Sequence, residues 1–184
     1  KYFIWYYTFR LNMINKKKLF KGRAFDVSLY NFRIGKKMVK HEIVEQGNAA
    51  AILAIENDHV IMVKQFRYPH KNVLEIPAGL IDKNETSEEC AKRELLEETG
   101  YTAKKMIHLV RYYPFLGYNL QFIDCFLANS VKKISDQKLD EEESIEVKKI
   151  PLMKLIKMIK TGKIIDSKTI SAVMIYSAKK NLNW

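Results

Sequence analysis

The stretch of sequence that decides the fold covers residues 79–101 and reads GLIDKNETSEECAKRELLEETGY. Thr86, with Glu89 three positions later, forms the capping signal that precedes a helix. Gly100 is the glycine expected just beyond a helix C-terminus. The pattern therefore predicts a helix over residues 86–99.

Three glutamates of this helix, Glu94, Glu97 and Glu98, have spacings that crowd their carboxylates onto one flank. Like charges repel there, and a divalent cation would relieve the repulsion; hard oxygen ligands suit magnesium or manganese. Arg93, four positions before Glu97, can hold that carboxylate, and Gly79 lets the backbone approach the helix. For the three glutamates taken alone, a solvated acidic helix face is the alternative.

The sequence before this helix is typical of strands. Residues 24–34 and 37–46 alternate and are rich in β-formers, which predicts a β-hairpin with its turn at Gly35. The apolar runs 50–55 and 60–66 are joined by a polar turn, so they predict a second pair of strands. Residues 78–80 are predicted to open a loop.

Strands and helices continue after Gly100. We predict strands at about 105–113, 120–128 and 144–150, a helix that begins at Pro151, and a last helix over about 167–180. Strands interrupted by three helices predict an α/β sandwich with a mixed sheet.

Composition narrows the function classes. The chain has 184 residues, 47% hydrophobic and 29% charged, with only seven Gly and four Pro, which excludes disorder for the bulk and predicts one folded domain. Cys90 and Cys125 cannot form a disulfide framework or a zinc finger, so we expect reduced thiols and a cytoplasmic protein. No apolar run approaches the roughly 20 residues of a membrane span.

A net charge of +11 would attract phosphates or nucleic acids, but the lysines are scattered along the chain. This scatter indicates general solubility, and we do not expect a nucleic-acid partner. Residues 1–23, which begin with an aromatic-rich dozen, are interpreted as a leader. We therefore divide the chain into this leader, a hairpin over 24–46 and a main domain over 47–184.

The residues from Gly79 to Tyr101 resemble the signature of the Nudix hydrolases at every polar and glycine position, with Tyr101 standing where an aliphatic residue is usual. Residues 65–67, 74–82 and 162–169 resemble the ADP-ribose pyrophosphatases and related nucleoside-diphosphate-sugar hydrolases. The resemblance extends over about residues 24–178.

This resemblance implies a Nudix α/β/α sandwich that hydrolyses the diphosphate bond of ADP-ribose or a related nucleoside diphosphate derivative, giving AMP and ribose 5-phosphate. It implies Mg²⁺ as cofactor, which Mn²⁺ could replace. Arg67 is also compatible with a surface cation. The implied metal ligands are Ala78, Glu94, Glu97 and Glu98; the implied substrate-binding residues are Arg67, Glu75, Gly79 and Gln121; the implied catalytic residues are Arg93, Glu97, Glu141 and Glu143.

Departures from the family pattern follow the helix. Leu116 stands where ADP-ribose hydrolases usually carry a marker proline, and Gln121 replaces a glutamate that could act as an anionic ligand. Glu141 and Glu143, at the position of a mobile acidic loop in the family, are our candidates for base and additional ligand, and a solvated charge run is the alternative.

These departures keep two further functions open. One is a house-cleaning pyrophosphohydrolase of nucleoside triphosphates, and the other is a non-catalytic module that binds nucleotide or RNA. The subfamily that the chain resembles is typically a homodimer built through its N-terminal strands. The hairpin at 24–46 is in the right place for such an interface, so we expect a homodimer with no membrane partner.

Overall fold

A computed structural model describes residues 12–139 and 144–182 of the chain. They divide into two compact units, of which the first comprises residues 12–47 and 115–121. The second comprises the other described residues, from 48 to 114 and from 122 onward. The candidate site lies in the second unit.

The first unit contains a three-stranded antiparallel sheet. Its strands, in spatial order, are β1 (Asn12–Lys21), β2 (Asp26–Ile34) and β3 (Lys37–Glu45). The predicted hairpin corresponds to β2 and β3, with Gly35 at φ +61° in the turn.

Strand β1 differs from the sequence analysis, which assigned residues 1–23 to a leader. Its lysine triplet hides the alternation that predicts a strand. Contacts with later residues stabilise it: Lys16 forms an ion pair of 2.9 Å with Glu45, and Lys18 bonds Asp26. Residues 1–11 of the predicted leader lie outside the described residues.

The second unit contains nine described strands: β4 (Ala49–Glu56), β5 (His59–Arg67), β6 (Lys71–Glu75), β7 (Ala78–Leu80), β8 (Tyr101–Thr102), β9 (Ile107–Tyr112), β10 (Ile123–Asn129), β11 (Lys132–Lys133) and β12 (Ile145–Pro151). Seven of them form a mixed sheet in the order β12-β5-β4-β10-β9, with β6 paired to β5 and β7 to β4. Only the β4–β10 pair in it is parallel. Strands β8 and β11 form a separate two-stranded ladder.

The three helices of the described chain are α1 (Ser87–Thr99), α2 (Leu152–Lys160) and α3 (Ser167–Lys179), as predicted within a residue or so. Helix α1 has the predicted capping box between Thr86 and Glu89. Gly100 ends it at φ +74°, where a Cβ would lie 2.1 Å from the Ser135 carbonyl oxygen. None of these helices combines the length and apolar character that a membrane crossing requires.

Strand β4 separates two hydrophobic clusters, one on each face of the sheet. Ala50 and Ile52 pack with Leu95 of α1, whereas the alternate residues Ala51 and Leu53 pack with α2 and α3. Because β4 is buried on both faces, its sequence is apolar throughout. This three-layer arrangement confirms the predicted α/β/α sandwich with a mixed sheet.

One local prediction was wrong. Residues 78–80, expected to open a loop, form β7 and pair with the start of β4, where Ala51 faces Ala78. A three-residue strand carries too little periodicity to be recognised, and its pairing depends on a partner nearly thirty residues earlier.

Candidate active site

Arg93 is the charged centre of the candidate site. Its Nε and Nη2 atoms donate to the two carboxylate oxygens of Glu85 at 2.8 and 2.9 Å. Its Nη1 atom donates to Glu94 at 2.6 Å and to Glu97 at 3.1 Å. The contact with Glu97 that the helical spacing predicts is present, and Arg93 holds two further glutamates in place.

These ion pairs shift the pKa of both Glu85 and Arg93. The hydrogen bonds from Arg93 outweigh the effect of burial and lower the pKa of Glu85 to about 2. The bond with Glu85, followed by those with the other glutamates, raises the pKa of Arg93 above its ordinary value. The Glu85–Arg93 pair therefore keeps both charges over the whole physiological range.

Glu98 is fixed by a different contact. It is only 4% exposed, and its carboxylate accepts a 3.0 Å hydrogen bond from the backbone N–H of Ala78 in β7. This bond joins the last turn of α1 to the sheet. Glu98 is therefore held in one position by the fold itself.

Gly79 explains how β7 and α1 approach each other so closely. A Cβ at this position would lie 1.9 Å from a carboxylate oxygen of Glu94, well inside contact distance. Glu94 cannot simply swing aside, because Arg93 holds it. The prediction that this glycine admits a close backbone approach is confirmed.

A cleft of about 520 Å³, the acidic cleft, opens between α1, β7 and the end of β5. It brings together most of the predicted site residues and adds three that the sequence analysis did not assign, Gln65, Leu80 and Asp82. It is lined by Gln65, Arg67, Ala78, Gly79, Leu80, Asp82, Arg93, Glu94, Glu97 and Glu98.

The donor chemistry of the acidic cleft fits a hard divalent cation, because four carboxylates line it, those of Asp82, Glu94, Glu97 and Glu98. Within the described residues no three such side chains are already arranged as a ligand cage. Arg93 donates hydrogen bonds to oxygens of Glu94 and Glu97. A metal bound there would compete with Arg93 for these oxygens.

Glu75, a predicted substrate-binding residue, does not line the cleft. It is 2% exposed, accepts a 2.8 Å bond from Nε of Arg67 and also pairs with Lys168. Lys168 in turn lies 2.7 Å from Asp166, the residue that caps α3. Glu75 thus positions Arg67 at the cleft instead of facing it.

Lys168 belongs to this network but was not predicted from the sequence. Burial alone would lower the pKa of Lys168, but Asp166 and Glu75 outweigh it and the pKa is raised. The signal in the sequence that could have identified Lys168 is the resemblance of residues 162–169 to the family. Its contact with Glu75 spans 93 positions of the sequence and so leaves no local pattern.

The remaining predicted site residues lie elsewhere. Gln121 belongs to the first unit, where its side-chain amide donates to the carbonyl of Gly47 and its backbone N–H donates to Asn119 at 2.7 Å. Glu141 and Glu143 lie outside the described residues. Contact of these three side chains with a substrate stays a prediction.

A third buried carboxylate, Asp124, which was not assigned from the sequence, holds the first residue of α1. Asp124 accepts from Ser87 at 2.6 Å, from Arg111 at 2.9 and 2.7 Å, and pairs with His108 at 3.0 Å. Burial raises the pKa of Asp124, but these hydrogen bonds outweigh it and lower the pKa to about 2. The bond from Arg111 has the largest effect among them. Both ends of α1 are therefore fixed by charged contacts.

Comparison with known proteins agrees with this geometry. The chain matches the family described as NUDIX domain over residues 45–173. It is 36% identical over 173 residues to ADP-ribose pyrophosphatase of Bacillus subtilis (strain 168), covering 92% of this chain and 94% of that protein. It is 34% identical over 182 residues to methanol dehydrogenase activator of Bacillus methanolicus, covering 95% and 96%.

A solved structure gives the same result for the fold. The crystal structure of an ADP compounds hydrolase superposes with a TM-score of 0.79 over 94% of this chain and 97% of that chain. The two sequences are 21% identical, so the match concerns the fold alone.

Proposed function

Because the chain belongs to the Nudix hydrolase family, we propose that it hydrolyses the diphosphate bond of ADP-ribose or a related nucleoside diphosphate derivative, giving AMP and ribose 5-phosphate with Mg²⁺ as cofactor. The observation that carries the proposal is the convergence of Glu94, Glu97 and Glu98 with Arg67 in one cleft. The relative with ADP-ribose pyrophosphatase activity in its name supports the choice of substrate.

Each side chain of the acidic cleft has a task in this reaction. Glu94, Glu98 and the carbonyl of Ala78 would hold the metal, with Glu97 beside them. When bound, magnesium neutralises phosphate charge and makes a coordinated water more acidic. Arg93 would keep Glu94 and Glu97 oriented, since it already contacts both.

Arg67 is suited to bind a substrate phosphate. Arg67 donates to Glu75 through its Nε atom only. In the described chain, the two Nη atoms of Arg67 have no hydrogen-bond partner. A guanidinium whose orientation is fixed at one side can offer its free donors to a diphosphate oxygen at little entropic cost.

Hydrolysis also requires a base. The oxygen of a water molecule bonds to one phosphorus atom as the bridging P–O bond breaks, and a carboxylate takes the water proton. We propose Glu141 or Glu143 for this step, with Glu97 as the alternative. The side chain of Glu97 is 41% exposed, so a water molecule can reach its carboxylate, as a base requires.

A substrate panel tests the function. Purified protein with Mg²⁺ is incubated with ADP-ribose, ADP-sugars, other nucleotide sugars, dinucleotides and nucleoside triphosphates, and products are separated by chromatography. AMP and ribose 5-phosphate from ADP-ribose are expected. Glu98→Gln serves as the inactive control, which excludes a contaminating hydrolase.

The two alternatives have different products. Inorganic pyrophosphate released from a triphosphate would favour the house-cleaning pyrophosphohydrolase. Tight binding of nucleotide or RNA without turnover would favour the non-catalytic module, and for RNA this binding should weaken steeply with salt. No turnover of any diphosphate derivative would contradict the proposed activity.

We also propose that the protein is a cytoplasmic homodimer. Strand β1 exposes Met13, Leu19 and Phe20, each more than half accessible, and a second copy would cover them. Both cysteines are free and buried, which is compatible with a reducing compartment. Light scattering at micromolar concentration should give the dimer mass, and a stable monomer would contradict the assembly.

A further inference from the structure

A second cleft, the lysine cleft, opens on the other face of the sheet from the acidic cleft. It has a volume of about 560 Å³ and is bordered by β5, β6, β12, α2 and the segment that follows α2. Neighbouring residues of β5 illustrate the separation: Gln65 lines the acidic cleft and Lys64 the lysine cleft, because successive side chains of a strand point to opposite faces.

The rim of the lysine cleft is cationic. Lys64, Lys148, Lys154 and Lys163 come from four separate parts of the chain to border it. Lys148 pairs with Glu146, whereas the ammonium groups of the other three have no ion pair or hydrogen bond in the described part of the chain. Their combined field attracts anions to the cleft.

Lys149 also borders the cleft, but its ammonium serves another contact. It pairs with Glu56 and lies 5.4 Å from the centre of the Tyr101 ring. It is therefore left out of the proposed site.

The floor of the lysine cleft is aliphatic. Leu74 and Met158 are partly buried in it, and Ile165 is 62% exposed at its edge. No aromatic side chain borders the cleft in the described residues, so a base has no ring on which to stack. This chemistry disfavours single-stranded nucleic acid, whose binding depends on such stacking.

We propose that the lysine cleft binds a small amphiphilic phosphate, that is, an aliphatic chain that ends in a phosphate group. The chain lies on Leu74, Met158 and Ile165, and the phosphate oxygens accept hydrogen bonds from the lysine ammonium groups. Lysine is a common phosphate ligand of this kind. The volume lies within the roughly 300–1,000 Å³ of small-molecule sites.

The test uses n-hexyl phosphate as probe and isothermal titration calorimetry of the full chain, with EDTA to remove divalent cations. Saturable binding of one molecule per chain is expected. The double variant Lys154→Glu/Lys163→Glu should bind at least about tenfold more weakly. The matched control Lys157→Glu/Lys160→Glu makes the same charge change on α2, at two lysines outside the cleft, and should bind as the parent does.

Both double variants should keep the thermal midpoint and the ADP-ribose hydrolysis of the parent, so the result is independent of the proposed function. Equal losses in both variants would overturn the proposal, because binding would then follow net charge. Equal affinity for inorganic phosphate and hexyl phosphate would also overturn the proposal, because the aliphatic floor would then contribute nothing to binding.

Two further measurements distinguish the lysine cleft from the acidic cleft and a small phosphate ligand from a membrane surface. Loss of hexyl phosphate binding in Arg67→Ala would place the probe in the acidic cleft and overturn the proposal. Sedimentation with phosphatidic acid vesicles, without binding of hexyl phosphate, would assign the lysines to a membrane surface and overturn it as well. Parent-like binding in Arg67→Ala, with no sedimentation, supports the lysine cleft.

Discussion

The acidic cleft and the lysine cleft lie on opposite faces of one sheet, and they differ in how their charges are held. In the acidic cleft, Arg93 and the backbone of Ala78 fix the glutamates of α1. In the lysine cleft, Lys154 and Lys163 have no partner in the described residues. Fixed charges suit a rigid metal site, and ammonium groups without a partner suit a ligand that brings its own negative charge.

The largest expected effect comes from Glu98→Gln. Glutamine keeps the size of the side chain and can accept the bond from Ala78, so the fold should be retained. It removes the negative charge, so we expect weaker metal binding and a loss of turnover by orders of magnitude. Initial rates of ADP-ribose hydrolysis across a Mg²⁺ titration, with circular dichroism as the folding check, measure this.

Glu88→Gln is the matched control for this experiment. Glu88 is on the same helix but exposed, and it pairs only with Lys92 across one turn. Such a pair contributes about 0.3–0.5 kcal/mol. A comparable loss of turnover in both variants would mean that the fixed position of Glu98 is irrelevant.

The next largest effect concerns the acidic segment at 140–143. If Glu141 or Glu143 is the base, the double variant Glu141→Gln/Glu143→Gln should reduce kcat by roughly 10²- to 10⁴-fold, with a smaller change in substrate affinity. Steady-state kinetics at saturating Mg²⁺ give both values. Near-normal kcat would assign the base elsewhere, and Glu97→Gln would then be the variant to measure.

A smaller effect is expected from Gly79→Ala. The new Cβ would displace the carboxylate of Glu94 from its contact with Arg93, and a misplacement of about 1 Å at a catalytic group can cost about 10²-fold in rate. Gly117→Ala is the control, because a Cβ there meets open space. Equal rates for the two variants would show that Glu94 relaxes without consequence.

The smallest effect concerns acid stability. Glu85 and Asp124 have folded-state pKa values of about 2, below their unfolded values of 4.5 and 3.8. The unfolded chain therefore binds more protons in this window, and stability that is complete above about pH 4.5 is lost as the pH falls towards 2.

Chemical denaturation at a series of pH values measures this dependence. Glu85→Gln should make the free energy of unfolding less dependent on pH between 4.5 and 2, with a lower stability at neutral pH. Asp136→Asn is the control, because Asp136 is fully exposed and such charges contribute little. An unchanged pH slope in Glu85→Gln would contradict the role given to its pairing with Arg93.

Local sequence determined much of α1. The capping box at Thr86 and the terminal Gly100 set its ends, and helical periodicity alone placed Glu94, Glu97 and Glu98 on one flank beside Arg93. These features depend on neighbours within four positions, so they are visible in the sequence. The burial of β4 on both faces follows equally from its continuous apolar run.

Only the tertiary structure decided what each charge contacts. Glu98 is buried because β7 pairs with β4, and Glu75 positions Arg67 because Lys168 reaches it from 93 positions away. Strand β1 likewise has an ion pair with a distant residue, between Lys16 and Glu45, 29 positions apart. Hydrogen bonds and ion pairs between distant residues depend on how the chain is folded back on itself, and a local pattern of residue types contains no record of that.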